Sequence, residues 1–184
     1  MRTFLILGLL VSTLLGYERL DVTNLPKITY DRYLKVQPLI KESSKVNNIP
    51  EEVIATLLFN ESGFDNNAKS WTGVTGIAQF TKATAKRFKV DKTSIKSQII
   101  GMGRVLKHEY DHLPHHFSHE EKLQMSALIF NRGKGVYFRA KRAIKAKGLF
   151  PTYQTILNQI NKYKYGREGY QYVMKLNRNI TMFT

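Results

Sequence analysis

Residues 48–64 read NIPEEVIATLLFNESGF, and this stretch decides how the rest of the chain is read. Asn48, Pro50, Glu51 and Glu52 form a helix start: a capping Asn, an early Pro, and acids where the helix dipole favours negative charge. Val53, Ile54, Leu57 and Leu58 then make one apolar stripe. Glu61 continues that stripe at spacings of three and four, which predicts that it shares the inward face. It also falls at the C-terminal end of the predicted helix, where the macrodipole disfavours a carboxylate. Desolvation and dipole both push its pKa above the ordinary value of about 4.3, and a carboxyl held partly protonated near neutral pH suits a general acid. The spacing alone equally fits a solvent-facing Glu beyond a frayed helix end.

Outward from this helix the pattern stays helical. Upstream, from about Tyr30, Leu34, Ile40 and Val46 recur among polar residues, and Pro38 is expected to kink or divide this first helix. Downstream, residues 60–77 are glycine-bearing and irregular, and helical patterns resume at 81–88 and at 94–110, the latter with Ile95, Ile99, Met102 and Leu106 in register. Ser118-His119-Glu120-Glu121 is a capping box opening a helix through Phe130. Further helices are expected near 137–147, 152–163 and 168–177. No strand-hairpin signature or internal repeat is visible, so the fold class is mainly α, a single domain.

The whole chain has 184 residues and a formal charge of +15, enough for one domain with its own core. The charge is lopsided: up to Glu61 there are 7 Lys+Arg and 7 Asp+Glu, while the remainder holds 22 bases and 7 acids. Between Glu121 and Glu168 lie eleven bases and no acid. Such a field attracts polyanions, whether nucleic acid, anionic lipid or an anionic cell wall. The absence of Cys excludes disulfides and thiolate metal sites. At the N-terminus Arg2 precedes the apolar run FLILGLLVSTLL at residues 4–15. That run is short for a membrane span and suits a signal peptide or an uncleaved anchor. The expected organisation is a signal or membrane-anchor segment at 1–16, a linker at 17–29 containing Pro26, and a catalytic domain at 30–184.

Four segments carry a resemblance. Glu61-Ser62-Gly63-Phe64 and Gly73-Val74-Thr75-Gly76-Ile77-Ala78-Gln79 resemble the Glu-Ser pair and Gly-Leu-Met-Gln loop of the soluble-lytic-transglycosylase-like (goose-lysozyme-like) family. Ile129-Phe130-Asn131-Arg132-Gly133-Lys134-Gly135 resembles its Ala-Tyr-Asn-Ala-Gly-x-Gly segment, and Glu168-Gly169-Tyr170-Gln171-Tyr172-Val173 its Glu-Thr-x-x-Tyr-Val segment. Four such segments in the family's order on a helical background are specific where each alone is weak. The resemblance implies a lysozyme-like domain that cleaves the MurNAc-GlcNAc bond of peptidoglycan to a 1,6-anhydromuramoyl product, without cofactor or metal. It implies Glu61 as the catalytic acid and base, with Ser62, Gly76, Gln79, Phe130, Asn131, Glu168 and Tyr172 contacting the glycan or orienting the site. A goose-type lysozyme, hydrolysing with the same Glu61, is the alternative outcome. Three departures stand out: Ala78 for Met, Phe130 for Tyr, which removes a hydroxyl available to the sugar or to Glu61, and Gly169 for Thr. The expected partners are peptidoglycan glycan strands, with an envelope-spanning or phage apparatus as a further candidate and no nucleic acid. The expected location is the periplasm or cell envelope, anchored in the inner membrane or carried in a virion.

Two rival readings compete. His108-Glu109-Tyr110-Asp111-His112 matches the zinc-peptidase string H-E-x-x-H, which on a helix sets two imidazoles one turn apart beside a Glu. Against it, Tyr110 and Asp111 lack the apolar residue of a buried active-site helix, and Pro114 ends the helix at once. A solvated, His-rich helix end is the plainer account. The other rival is a basic nucleic-acid module, in which Tyr137, Phe138, Tyr153, Tyr163 and Tyr165 alternate with the bases as stacking platforms.

Overall fold

A computed structural model describes residues 21–163 and 166–184. The signal or anchor segment expected at 1–16 and the first part of the linker lie outside the described residues. After a short 3-10 turn at Val22–Asn24, capped by the Asp21 side chain, eight α-helices follow among the described residues: α1 Lys27–Asn47, α2 Glu51–Ser62, α3 Lys82–Arg87, α4 Ile95–Asp111, α5 His119–Arg132, α6 Lys134–Lys145, α7 Tyr153–Asn161 and α8 Arg167–Asn179. The described residues contain no strand, only one isolated antiparallel bridge between Lys69 and Thr75. The mainly α reading is correct.

α1 differs from its sequence pattern in two ways. Pro38 does not divide the helix, which runs through it unbroken. Pro38 lies on the exposed face, so the carbonyl of Leu34 that it deprives of a partner is left on the water side, while the opposite face is held by packing. Leu34 and Val46 do not point inward either, being 45% and 65% exposed. The buried row is instead Val36, Ile40, Ser43 and Asn47, spaced four, three and four as a helix face must be. Its two polar members explain why hydrophobicity missed it. Ser43 Oγ donates to the Ile99 carbonyl and Asn47 Nδ2 to the Ile100 carbonyl, at 2.9 and 3.3 Å, so α1 and α4 are joined by side chain to backbone. Gly103 makes this crossing fit, because a Cβ there would stand 2.5 Å from both Ser43 Oγ and Asn47 Nδ2.

Asn48 belongs to α1 and does not cap α2. It takes a left-handed conformation (φ 52°) and its N–H closes on the Ser44 carbonyl, a C-terminal role for which Asn is suited. α2 is preceded by Pro50 at its N-cap and has Glu51 and Glu52 in its first turn. Val53 to Leu58 are buried on every side, so α2 is the central helix of a core shared with α1, α4 and the 64–80 loop. A second core unites α5, α6, α7 and α8. The box at Ser118 is present in full, Ser118 Oγ accepting from the Glu121 N–H and Glu121 Oε2 from the Ser118 N–H. α6 starts three residues before the expected 137, at Lys134 directly after Gly133. α5 packs on both α4 and α8, and α8 reaches back to α2. The C-terminal ends of α2 and α5 therefore meet beside α8.

Candidate active site

Glu61 lies one residue before the end of α2, half-buried, where the stripe of Ile54, Leu57 and Leu58 surfaces. Two donors converge on one of its oxygens: Tyr172 Oη of α8 at 2.8 Å and Asn131 Nδ2 of α5 at 3.4 Å. These three residues are 111 and 70 positions apart in sequence, and the meeting of three helices brings them together. Burial is the dominant influence and raises the Glu61 pKa above its ordinary value, against the hydrogen bonds of Tyr172 and Asn131 and the charge of Lys175, which all favour the carboxylate. Tyr172, held against that carboxyl and desolvated, has its phenol pushed well up and stays a donor. Burial thus favours the protonated form of Glu61 more than it would be favoured in an exposed carboxyl.

The 64–80 loop is tied to this helix end. Gly63 closes α2 with φ 59°, its N–H on the Phe59 carbonyl. Ser62 Oγ donates to the Ile77 carbonyl at 2.7 Å and also to Leu58 in its own helix, so Ser62 latches the loop to α2. Gln79 turns inward: its Nε2 donates to the carbonyls of Gly76 and Ala68, at 2.7 and 3.1 Å. In this structure Gln79 braces the loop with its amide NH2. Gly76 is obligatory where it stands, with φ 106° and an added Cβ only 2.3 Å from Gln98 Oε1. Gln98 is the site residue that sequence reading missed. It is fully buried, donates to Asn66 Oδ1 and the Lys92 carbonyl, and accepts from the Ala78 N–H. A polar residue on the apolar face of α4, four before Met102, was the available signal.

Two of the three departures from the family pattern have local explanations. Phe130 packs edge-on against Phe80, centroids 5.5 Å apart, and the phenol that its ring lacks is supplied to Glu61 by Tyr172. Glu168 and Tyr172 share a helix face, but Glu168 is turned to solvent and pairs with Arg132 at 2.6 Å. Arg132 stands where the family pattern has Ala and Gly169 where it has Thr. A Cβ on Gly169 would lie 3.0 Å from Arg132 Cγ, so a longer residue on α5 occupies the space left by a missing side chain on α8.

The zinc-peptidase string does not form a metal site among the described residues. Glu109 is buried and ion-paired with Lys134 at 2.9 Å. Arg87 Nη2 and Lys134 Nζ both donate to His108 Nε2, at 3.1 and 3.4 Å, and His112 lies against the His108 ring. Among the described residues no group of three or more His, Cys, Asp or Glu is placed to hold a metal. His108 is less solvated than expected, since its ring packs on Phe88; burial is the largest cause of a lowered pKa there. Of the aromatics between the bases, Tyr137 and Tyr153 are buried core residues, unable to serve as stacking platforms, while Phe138 is exposed and Tyr163 partly so; Tyr165 lies outside the described residues.

A helical domain built around one half-buried, doubly hydrogen-bonded Glu at the foot of a glycine loop is a lysozyme-like arrangement. Comparison with known proteins agrees: residues 38–101 match the family described as the transglycosylase SLT domain. The chain is similar to the membrane-bound lytic murein transglycosylase F 2 of Alkalilimnicola ehrlichii, 25% identical over 136 residues, which are 73% of this chain and 30% of that one. It is similar to the membrane-bound lytic murein transglycosylase F of Aeromonas salmonicida, 31% identical over 118 residues (64% and 23%), and to that of Desulfosudis oleivorans, 27% identical over 158 residues (84% and 34%). These matches support an SLT-like transglycosylase family for the chain, with the SLT domain itself matched over residues 38–101. The chain spans about a third or less of the length of these curated relatives. The matched segment 38–101 contains Glu61, Gly76 and Gln79, whereas Asn131 and Tyr172 lie beyond it and join the site through the fold.

Proposed function

We propose that this protein is a lytic transglycosylase that cuts peptidoglycan glycan strands at the MurNAc-GlcNAc β-1,4 bond, with Glu61 as its single acid and base. The observation that carries this reading is the Glu61 carboxyl, raised by burial yet held by Tyr172 and Asn131. In the first step Glu61 gives its proton to the glycosidic oxygen as the C1–O bond breaks and the GlcNAc alcohol leaves. Charge developing at C1 is met by the N-acetyl group of the substrate itself, as the family resemblance implies, so no second carboxylate acts as a nucleophile. In the second step the C6 hydroxyl attacks C1 and its proton passes to the Glu61 carboxylate, restoring the acid and giving the 1,6-anhydro sugar. Tyr172 and Asn131 hold the carboxyl in line through both transfers. The bases between Glu121 and Glu168 draw the domain to the anionic wall, an attraction that weakens with salt. The apolar run at 4–15 supports export to the periplasm or envelope, cleaved or kept as an anchor.

Mass analysis of sacculi digested by the protein tests this reading. The expected products end in 1,6-anhydromuramoyl residues, because an intramolecular hydroxyl outcompetes water through its effective concentration. Reducing-end products would instead assign the same Glu61 to a goose-type lysozyme.

A further inference from the structure

We propose that Trp71 is a second carbohydrate contact, a platform on which a sugar ring of the glycan strand stacks at a distance from Glu61; this rests on the reading of Glu61 as a glycan-cleaving acid. Trp71 is the only tryptophan of the chain and is 98% exposed. A side chain with this much apolar surface is seldom held wholly in water, and it recurs at binding hot spots. Here it is held there by construction. The Ser70 N–H donates to the Val74 carbonyl at 2.8 Å and the Gly73 N–H to the Ser70 carbonyl at 2.9 Å. Ser70 Oγ joins Thr72 Oγ1 and accepts from the Val74 N–H, and Gly73 supplies the left-handed φ of 82° that closes the turn. Beneath the tip the Lys69–Thr75 bridge completes a miniature hairpin.

The foot of this hairpin is the candidate active site. The Gly76 N–H and Gln79 Nε2 both bond the Ala68 carbonyl, and Ser62 ties Ile77 to the helix that carries Glu61. Trp71 stands two residues past Lys69, at most about 7 Å beyond the bridge at strand rise. The tip is therefore tied by a short chain of hydrogen bonds to the helix end that carries Glu61. The occupant follows from chemistry. A β-1,4-linked hexosamine holds its ring substituents equatorial, so its two faces are C–H surfaces that lie flat on an indole, hydrogens toward the electron-rich π face. A strand long enough to pass both Glu61 and Trp71 gains this contact, and a short fragment does not.

Because Trp71 is the sole tryptophan, its emission reports the contact directly. Full-length protein carrying Glu61→Gln is titrated with a long oligomer of β-1,4-linked N-acetylglucosamine and, separately, with anionic phospholipid vesicles, following emission wavelength and quenching by acrylamide. The sugar is expected to shift the emission to the blue and shield it from quencher. On wild-type Glu61, Trp71→Ala should raise KM for isolated glycan strands about tenfold with kcat nearly kept, and Trp71→Phe should recover most of the loss. Emission indifferent to sugar, while the wild type still releases anhydro products, overturns the platform and leaves Glu61 in place. Emission that responds to vesicles and not to sugar overturns it in favour of a lipid surface. Absence of any glycan product from the wild type removes the Glu61 reading and the platform with it.

Discussion

Replacing Gly76 by Ala tests whether the loop beside Glu61 is built as described. The new Cβ would stand 2.3 Å from Gln98 Oε1 and 3.0 Å from its Cδ and Nε2, so Gln98 must move. Moving it strains or breaks its three hydrogen bonds, the long one from the Ala78 N–H at 3.4 Å and the two shorter ones to Asn66 and to the Lys92 carbonyl, the shorter two each with a net contribution of about 0.5–1.5 kcal/mol. The positive φ adds about 1–2 kcal/mol for any residue with a Cβ. The expected loss is therefore about 2–5 kcal/mol, a large share of the roughly 5–15 kcal/mol that holds a domain together. Gln98→Ala alone loses the same bonds but opens space where the methyl group would go. The double variant should then be more stable than the sum of the two losses predicts, by at least about 1 kcal/mol. Urea unfolding of the four proteins measures this coupling. Losses that simply add, or a Gly76→Ala cost below about 1 kcal/mol, would refute the packing argument.

Tyr172→Phe removes a donor that favours the Glu61 carboxylate, so the Glu61 pKa should rise further. Since the first step needs the protonated acid, activity falls as pH rises through that pKa, and the descending limb of the pH–rate profile should move to higher pH in the variant. A limb that stays put, or moves to lower pH, counts against Tyr172 as a partner of the acid. His108→Ala with His112→Ala, and separately treatment of the wild type with a chelator, should leave sacculus digestion within about twofold, because surface changes away from the reacting groups are small; loss of activity in either arm would revive the metal reading.

Much of this molecule was legible in residues 48–64 and 118–130, where apolar periodicity and caps determine helices locally. The errors came where tertiary context overrode local pattern. α1 buries Ser43 and Asn47 and exposes Leu34 and Val46, because its contact with α4 is made by hydrogen bonds over Gly103. Asn48 lies between two helices, and its left-handed φ assigns it to the end of one instead of the start of the next. At the site, Glu61 could be picked out from its place on the stripe, but its donors could not, since nothing local links positions 61, 131 and 172. Family resemblance named Gln79, Glu168 and Tyr172 as contacts; the fold turns Gln79 inward, turns Glu168 outward, and leaves Tyr172 on the acid.

The most direct measurement is turnover of purified sacculi by Glu61→Gln beside the wild type, with sacculus binding measured in parallel. Gln keeps the shape and can still accept from Tyr172, but has no proton to give. One group serves both proton transfers, and general acid–base assistance is commonly worth about 10²–10⁴-fold. The account predicts release of anhydro products lowered by at least about a hundredfold, with binding retained. Wild-type rates from Glu61→Gln would contradict it.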